Sequence, residues 1–244
     1  MSMIRPSAAR ARAEAPPPPL AARLQALFPS GVALALTDPR EEQPALVARE
    51  AEAMRRAVPK RQREFAAGRA AARRALAQLG RAPCEIPQGP DRAPIWPEGI
   101  AGSISHIDTL CVAALARQGE LRALGIDLEP AAPLDPVLLP EICTLAERAW
   151  LACQPEPQRG LLARLIFSAK ECAYKCQYPL TGRLVGFGAL EITPDLDTGQ
   201  FEATFAEEVG SFAQGTCLAG RFVMTDEVIA CAMTLARGPR WGLG

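Results

Sequence analysis

The sequence is poor in several residues and motifs on which common enzyme classes depend. Its 244 residues include one histidine, His106, and the 27 basic side chains include only three lysines. It contains no G-x-x-x-x-G-K-S/T phosphate loop, no G-x-G-x-x-G dinucleotide loop and no G-x-S-x-G nucleophile elbow. These absences argue against P-loop NTPases, dinucleotide-dependent enzymes of the Rossmann type and Ser-His-Asp hydrolases.

The chain also lacks an excess of charge and a long apolar run. Its 27 basic residues balance 27 acidic residues, so we expect no nucleic-acid partner, because binding to phosphates needs a basic excess. No run approaches the roughly 20 apolar residues that span a bilayer, and the arginine-containing N-terminus has no apolar signal core. With 49% hydrophobic and 22% charged residues, the composition is that of a globular protein. We expect a cytoplasmic protein with no membrane partner.

Eight cysteines are present, but none forms a C-x-x-C pair. A zinc site needs closely spaced soft or imidazole ligands, and a single histidine with scattered cysteines does not provide them. Most of the cysteines stand in apolar runs, where a reduced thiol behaves as a small hydrophobic group. We therefore interpret them as core residues.

Proline, glycine and the spacing of apolar residues divide the first half of the chain. Residues 1–20 are rich in Arg, Ala and Pro and predict a flexible segment. Lys60–Leu79 contains good helix formers and is followed by a glycine, which predicts a helix. The five prolines between Pro83 and Gly99 predict a loop. Beyond it, Thr109–Ala116 and Leu121–Glu129 have the pattern of two strands of a hairpin.

The second half begins with a helical region and ends in strands. Helical spacing extends from about Pro136 to Tyr178, with an interruption near two prolines, and Gly186–Ala236 alternates short strands with turns. Helices followed by antiparallel hairpins occur twice, which predicts an α+β fold of two similar halves. We place the N-terminal half at 21–124 and the C-terminal half at 125–244.

The first candidate for chemistry is the strand segment Gly125-Ile-Asp-Leu-Glu129. Asp127 and Glu129 alternate with apolar residues, so both carboxylates lie on one face, roughly 6.5–7 Å apart along the strand. Oxygen ligands of this kind suit Mg²⁺. A solvated face of an edge strand is the simpler explanation of this segment taken alone.

Two further candidates are His106 and the segment 167–175. His106 would lie at the same end of the predicted hairpin as the two carboxylates, where it could donate to a phosphate or cap a loop. In 167–175, Ser168 and Glu171 fit a helix capping box, and Glu171 and Lys175 fit a helical ion pair. Glu171 could equally be a third carboxylate for a cation and Lys175 a phosphate ligand, and spacing does not decide between these readings.

The fourth candidate is the basic face of the helix predicted at Lys60–Leu79. Arg69 and Arg73 share a face at i,i+4, with Arg61 nearby. Such a stripe is usually solvated, but arginine is also well suited to bidentate binding of a terminal phosphate. Together the candidates offer three carboxylates, a histidine, a lysine and several arginines. This set suits metal-assisted chemistry on a polyphosphate.

Four segments, in this order, resemble a known family. They are REFAAGRAAARRAL (63–76), DRAPIWPEGIAGSISH (91–106), GIDLEP (125–130) and FSAKECAYKCQYPLTGRLVGF (167–187). In this combination the chain resembles phosphopantetheinyl transferases of the enterobactin synthetase component D, or Sfp-like, type. The family fold is α+β, with two pseudo-symmetric halves, each a small antiparallel sheet packed with helices, and coenzyme A (CoA) in the cleft between them.

The resemblance implies a reaction of the holo-[acyl-carrier-protein] synthase type. The 4′-phosphopantetheine arm of CoA would pass to a serine of an apo acyl- or peptidyl-carrier protein, with adenosine 3′,5′-bisphosphate released. A monomer, dependence on Mg²⁺, and association with siderophore biosynthesis in an enterobactin synthase complex are further expectations.

The resemblance also implies roles for individual residues. Asp127, Glu129 and Glu171 would hold Mg²⁺ against the CoA pyrophosphate, with Glu171 or a metal-bound water as a base. Lys175 would contact the pyrophosphate and assist the leaving group, supported by Lys170. The other predicted CoA contacts are those of Ser105, His106, Arg61, Arg69 and Arg92. We expect the carrier to dock near 170–181.

Two other functions use the same residues. A metal-dependent phosphohydrolase would activate water instead of a serine and would cleave CoA without a carrier. A non-catalytic CoA-binding protein would use the Glu171–Lys175 pair only to brace its helix. The order of the four segments favours the transferase over both.

Overall fold

A computed structural model of the chain describes residues 18–237. The predicted flexible segment, residues 1–20, lies outside the described residues except for its last three. Within 18–237, no helix is long and apolar enough to cross a membrane.

The N-terminal half is a three-stranded antiparallel sheet, in the order β1-β3-β2, on which one long helix packs. This helix, α3, begins with Pro59, whose ring suits the first helical turn, and its alanine-rich face is buried on the sheet. Prediction of this helix is confirmed. The elements are α1 (Leu20–Gln25), β1 (Ala33–Thr37), α2 (Ala48–Met54), α3 (Pro59–Gln78), β2 (Ile100–His106) and β3 (Cys111–Arg117).

The C-terminal half repeats this arrangement with a five-stranded antiparallel sheet, in the order β4-β8-β7-β6-β5, and one long helix, α6. A turn at Thr225–Glu227 joins β7 to β8, within the region that the sequence predicts to alternate short strands with turns. The predicted α+β fold is therefore confirmed. The elements are β4 (Leu121–Pro130), α4 (Leu139–Ile142), α5 (Leu145–Ala152), α6 (Glu156–Thr181), β5 (Leu190–Asp195), β6 (Gln200–Phe205), β7 (Cys217–Met224) and β8 (Val228–Ala236).

The predicted pairing of β3 with β4 as a hairpin is wrong. β3 pairs with β1 on one side and β2 on the other, whereas β4 pairs with β8 in the other sheet. Six of the seven residues of β3 are buried, as expected for a central strand covered on both faces. Because both edges of β3 are occupied, β4 has no edge to pair with and crosses to the second sheet.

The predicted helix start at Ser168 is also wrong. The helical region is interrupted between α5 and α6, as predicted near the two prolines. Helix α6 then continues without interruption from Glu156 to Thr181. Ser168 therefore lies in the middle of α6, where its side chain is fully buried. It serves the site described below and does not cap a helix.

The two halves meet where the edge strands β2 and β4 run side by side. No backbone ladder joins them; instead, serine hydroxyls of β2 accept hydrogen bonds from N–H groups of β4. Ser103 accepts from Ile126 and Ser105 from Leu128, each at 3.1 Å. A single apolar cluster extends across this junction, from Leu24, Leu34 and Val112 to Leu124, Ile126, Leu128 and Ala230.

Candidate active site

A cleft lies between the halves, beside the junction of β2 and β4. It consists of two adjoining cavities of about 310 Å³ and 530 Å³. The smaller is lined mainly by charged and polar side chains, and the larger has the aromatic rings of Trp96, Tyr174 and Tyr178 in its wall. The cavities share four lining residues, which are Arg92, Pro94, Ile104 and Lys175.

The acidic centre of the cleft is Asp127 on β4, which is only 3% exposed. Its Oδ1 accepts hydrogen bonds from Ser105 of β2 at 2.9 Å and from Lys175 of α6 at 2.5 Å. Its Oδ2 accepts from Ser168 of α6 at 2.8 Å. One carboxylate therefore ties together a strand of the N-terminal half and the long helix of the C-terminal half, with an ammonium group as its counter-ion.

Two glutamates lie close to this centre and have perturbed acidities. Burial, together with the negative charge of Asp127, raises the pKa of Glu129 to about 7, although Arg164 pairs with it at 2.9 Å. Burial also raises the pKa of Glu171, while the positive charge of Lys175 opposes that shift. Both glutamates therefore lie close enough to Asp127 for its charge to affect them. Their ionised forms are less favourable in the folded protein than in water.

The donor chemistry of these three carboxylates fits a hard divalent cation. Oxygen atoms of Asp and Glu are the ligands that Mg²⁺ accepts, and a cation would offset the burial and the repulsion from Asp127 that raise the pKa of both glutamates. In residues 18–237, no three acidic, histidine or cysteine side chains are already gathered around one point. Lys175 neutralises Asp127 instead.

His106 lies at the end of β2 and lines the smaller cavity. Arg61 of α3 donates a hydrogen bond to its Nε2 at 3.0 Å, which requires an unprotonated Nε2. Burial lowers the pKa of His106, Glu64 at 3.8 Å opposes this shift, and the positive charge of Arg61 adds to it. His106 is therefore neutral near pH 7 and carries its proton on Nδ1.

The arginines predicted to bind CoA line the same cavity, although their environments differ. Arg69 is buried, donates to the carbonyl of Ile86 at 2.8 Å and stacks over Phe65. Burial lowers its pKa to about 10. Arg92 is exposed on the loop before β2. Arg73, which shares a face with Arg69, pairs with buried Glu50 at 2.7 Å and does not line the cavity.

The predicted contact of Lys170 with the CoA pyrophosphate does not fit its position. The side chain of Lys170 is 1% exposed, and its Nζ lies 2.8 Å from Glu147, within the C-terminal half. The same ammonium donates to the carbonyl oxygens of Ile142 and Phe187. Because all three N–H groups have partners inside the protein, Lys170 anchors α6 to neighbouring segments.

Several residues of the site were not identified from the sequence. Ser168 was interpreted only as a helix cap, Ser103 received no role of its own, and Arg164 precedes the segment 167–187. The alternation of Ser103 and Ser105 in GSISH is the one local signal that was available, since it places both hydroxyls on the same face of a strand.

Comparison with known proteins identifies families for both halves. Residues 49–116 match the model of the 4′-phosphopantetheinyl transferase N-terminal domain. Residues 123–232 match the model of the 4′-phosphopantetheinyl transferase superfamily. The two matched regions include every candidate site residue.

Three curated relatives cover most of the chain. The 4′-phosphopantetheinyl transferase Npt of Nocardia iowensis is 38% identical over 191 residues, covering 74% of this chain and 85% of that protein. The 4′-phosphopantetheinyl transferase Svp of Streptomyces mobaraensis is 41% identical over 191 residues, covering 74% and 75%. Enterobactin synthase component D of Salmonella typhimurium is 32% identical over 189 residues, covering 76% and 77%.

Proposed function

The chain belongs to the 4′-phosphopantetheinyl transferase superfamily, and from that membership we propose that its interhalf cleft is the active site. The protein is a phosphopantetheinyl transferase: it transfers the 4′-phosphopantetheine group of CoA to a carrier protein. Its acceptor is the serine of an apo acyl- or peptidyl-carrier protein, which makes the activity that of a holo-[acyl-carrier-protein] synthase.

The observation that carries this assignment is the junction of two unlike cavities at Lys175. CoA is a charged nucleotide joined through a pyrophosphate to a long neutral arm. The smaller cavity offers Arg61, Arg69 and His106 to the phosphates, and the larger offers an aromatic wall to the arm. Lys175, at the junction, and Ser105, which accepts a hydrogen bond from Lys175 at 3.1 Å in the smaller cavity, contact the pyrophosphate.

In the reaction, the serine oxygen attacks the phosphorus that carries the pantetheine arm. The new P–O bond forms as the bridging P–O bond breaks, and adenosine 3′,5′-bisphosphate leaves with the bridging oxygen. Lys175 neutralises the negative charge that develops on the leaving phosphate. The carboxylate of Glu171 takes the serine proton.

Asp127, Glu129 and Glu171 would hold Mg²⁺, which when bound supplies charge neutralisation to the pyrophosphate oxygens. Lys175 pairs with Asp127, which is also one of these three carboxylates. With Mg²⁺ as the counter-ion of Asp127, the Lys175 ammonium would be available to the phosphate. His106, neutral in the free protein, donates through Nδ1 or becomes protonated beside a phosphate dianion.

The carrier protein docks beside α6, near residues 170–181. A small cavity of about 130 Å³ there is lined by Glu171, Tyr174 and Phe187, and exposed Leu184 and Arg183 follow α6 in the chain. Apolar and basic groups at this surface complement an acidic carrier helix and would accelerate encounter. The enzyme acts as a cytoplasmic monomer, and carriers of siderophore assembly, such as that of the enterobactin synthase complex, are one class of acceptor.

The test is the intact mass of an apo carrier protein incubated with the enzyme, CoA and Mg²⁺, with a parallel reaction in EDTA. A mass gain of one phosphopantetheine group that EDTA abolishes is the expected result. Cleavage of CoA with the carriers unmodified would instead indicate a hydrolase. Binding of CoA without turnover would indicate a non-catalytic protein.

Variants test the residue assignments. Glu171→Gln and Asp127→Asn should abolish transfer while the protein remains folded. Each replacement removes one negative charge from the three carboxylates that would hold Mg²⁺ but conserves the shape of the side chain. Asp226→Asn, at an exposed turn that lines neither cavity, is a matched control and should transfer normally. Full activity of a folded Asp127→Asn protein would refute the metal assignment.

A further inference from the structure

One wall of the cleft is a tight turn formed by residues 88–94 of the loop between α3 and β2. Gly89 donates its backbone N–H to the carbonyl of Ala93 at 2.8 Å, and Arg92 donates to the carbonyl of Gly89 at 3.0 Å. Oδ1 of Asp91 accepts the N–H of Ala93 at 3.0 Å. The turn is therefore well defined internally.

Arg92, at the tip of this turn, has an unfavourable backbone conformation. Its φ is 67°, and it is the one non-glycine residue with a positive φ among residues 18–237. Such conformations persist where surrounding contacts enforce them. Arg92 lines both cavities, and within the same part of the chain it forms no ion pair. An uncompensated guanidinium is thus held at the junction of the two cavities.

Among residues 18–237, a single side-chain hydrogen bond connects this turn to the opposite half of the protein. The hydroxyl of Tyr178, on the last turns of α6, donates to Oδ2 of Asp91 at 2.6 Å. Asp91 thus uses one oxygen to shape the turn and the other to attach it to α6. The bond raises the pKa of Tyr178 to about 12, so the hydroxyl remains a donor across the physiological range.

Building on the function proposed above, we propose that Tyr178 and Asp91 are positioning residues. Their hydrogen bond across the mouth of the cleft holds the 88–94 turn so that Arg92 meets the phosphate-bearing part of CoA. A guanidinium on a free loop would lose conformational entropy on binding, and the attachment to α6 removes part of that loss before CoA arrives. The pair therefore acts on the binding of CoA and leaves the chemical step unchanged.

Tyr178→Phe is the first test, because it removes the hydroxyl and conserves the ring that faces Tyr174. We expect the KM for CoA to rise about threefold to tenfold, since the lost bond involves a charged acceptor but is exposed to water. The kcat should change by less than about twofold. An unchanged KM with a folded protein would overturn the proposal.

Replacements of Asp91 separate the two bonds it forms. Asp91→Ala removes both and should raise the KM at least as much as Tyr178→Phe. Asp91→Asn retains the oxygen that accepts from Ala93 and offers an amide to the Tyr178 hydroxyl, so it should have a smaller effect. Asp195→Ala is the matched control, because Asp195 also accepts backbone N–H groups in an exposed turn but lines neither cavity.

A double-mutant cycle tests whether the pair acts through Arg92. Arg92→Ala should raise the KM for CoA, and adding Tyr178→Phe to it should cause no further rise, because the positioned group is gone. If the two substitutions instead raise the KM for CoA by factors that multiply in the double variant, the Tyr178–Asp91 bond does not position Arg92. The proposal would then be wrong.

Direct titration of each protein with CoA distinguishes failure of this inference from failure of the proposed function. Tyr178→Phe should weaken CoA binding by the same factor by which it raises KM, whether or not carriers are modified. If wild type binds CoA but modifies no carrier, the transferase assignment fails. The role of the Tyr178–Asp91 hydrogen bond is then still decided by the dissociation constants for CoA. If wild type does not bind CoA, both fail.

Discussion

Lys170 and Lys175 are five residues apart on α6 and serve opposite purposes. Five residues correspond to about 140° around a helix, so the two side chains leave α6 on different faces. Lys175 faces the cleft and pairs with Asp127 at 2.5 Å, whereas Lys170 faces the interior of the C-terminal half and pairs with Glu147 at 2.8 Å. The pairing partner, and not the residue type, decides which lysine belongs to the site.

Replacement of Lys170 should therefore affect stability and not substrate binding. Lys170→Met leaves Glu147 charged in the interior and should reduce the free energy of unfolding by about 3–5 kcal/mol. Adding Glu147→Gln should recover part of this loss, because the amide oxygen can still accept the N–H of Ile192. Urea denaturation measures both effects. A stable Lys170→Met protein with a raised KM for CoA would contradict this role.

His106 should produce a defined pH dependence of stability. Its pKa in the folded protein lies below the ordinary value of 6.5, so below pH 6.5 the unfolded chain binds a proton that the folded protein does not. Its contribution is complete above pH 6.5 and is lost as the pH falls below that value. The free energy of unfolding of wild type relative to His106→Gln, measured from about pH 5 to pH 8, should decline on the acid side. Parallel curves would show that His106 is not responsible.

At the scale of elements, the site depends on the close packing of α6 against β4. Gly125 of β4 faces α6, and a Cβ at this position would overlap the carbonyl oxygen of Cys172. The missing side chain lets the helix approach the strand, which brings Ser168 and Lys175 to Asp127. This glycine stands two residues before Asp127, so the close approach that it allows lies next to the acidic centre.

Gly125→Ala should therefore reduce stability and activity together. Both backbones are rigid, so the added methyl must separate them, at a cost of at least about 2 kcal/mol. Gly119→Ala is the matched control, since a Cβ there meets no atom within 4 Å, and it should be close to neutral. Thermal melting and the transfer assay measure the two effects. A Gly125→Ala protein that melts like wild type would show that α6 is not held this closely.

At the scale of the whole molecule, the two halves share one core. The apolar cluster that contains Leu34 and Val112 of the first sheet also contains Ile126 and Ala230 of the second. The hydroxyls of Ser103 and Ser105 join the facing strand edges. The division predicted between residues 124 and 125 falls inside β4 (Leu121–Pro130), and the halves do not form separate cores, because neither could bury its share of the cluster alone.

The halves should consequently unfold in one transition. Trp96 reports on the N-terminal half and Trp150, on α5, on the C-terminal half. Two variants that retain only one of these tryptophans, both with Trp241→Phe, should show the same urea midpoint by fluorescence. Two distinct midpoints would show that the halves are independent folding units.

Residue types and the order of the motifs were enough to identify the family, the fold class and most of the charged residues that line the cleft. The long helix α3 and the strands β3 and β4 were predictable because their signals are local: residue type, periodicity and flanking prolines and glycines. Asp127, Glu129, His106 and Lys175 were identified because their residue types restrict the chemistry available to them. The order of the four segments identified the family and, through it, the transfer of phosphopantetheine.

The pairing of the strands and the partner of each charged group became known from the packing of the sheets and helices. The β3–β4 pairing was wrongly predicted because strand pairing depends on which edges remain free, and β1 and β2 occupy both edges of β3. Lys170 was misassigned because its partner Glu147 is distant in sequence. Ser168 was misassigned because the capping pattern is local and does not show that α6 already begins at Glu156. Contacts between distant residues depend on how the sheets and helices pack, which local spacing does not contain.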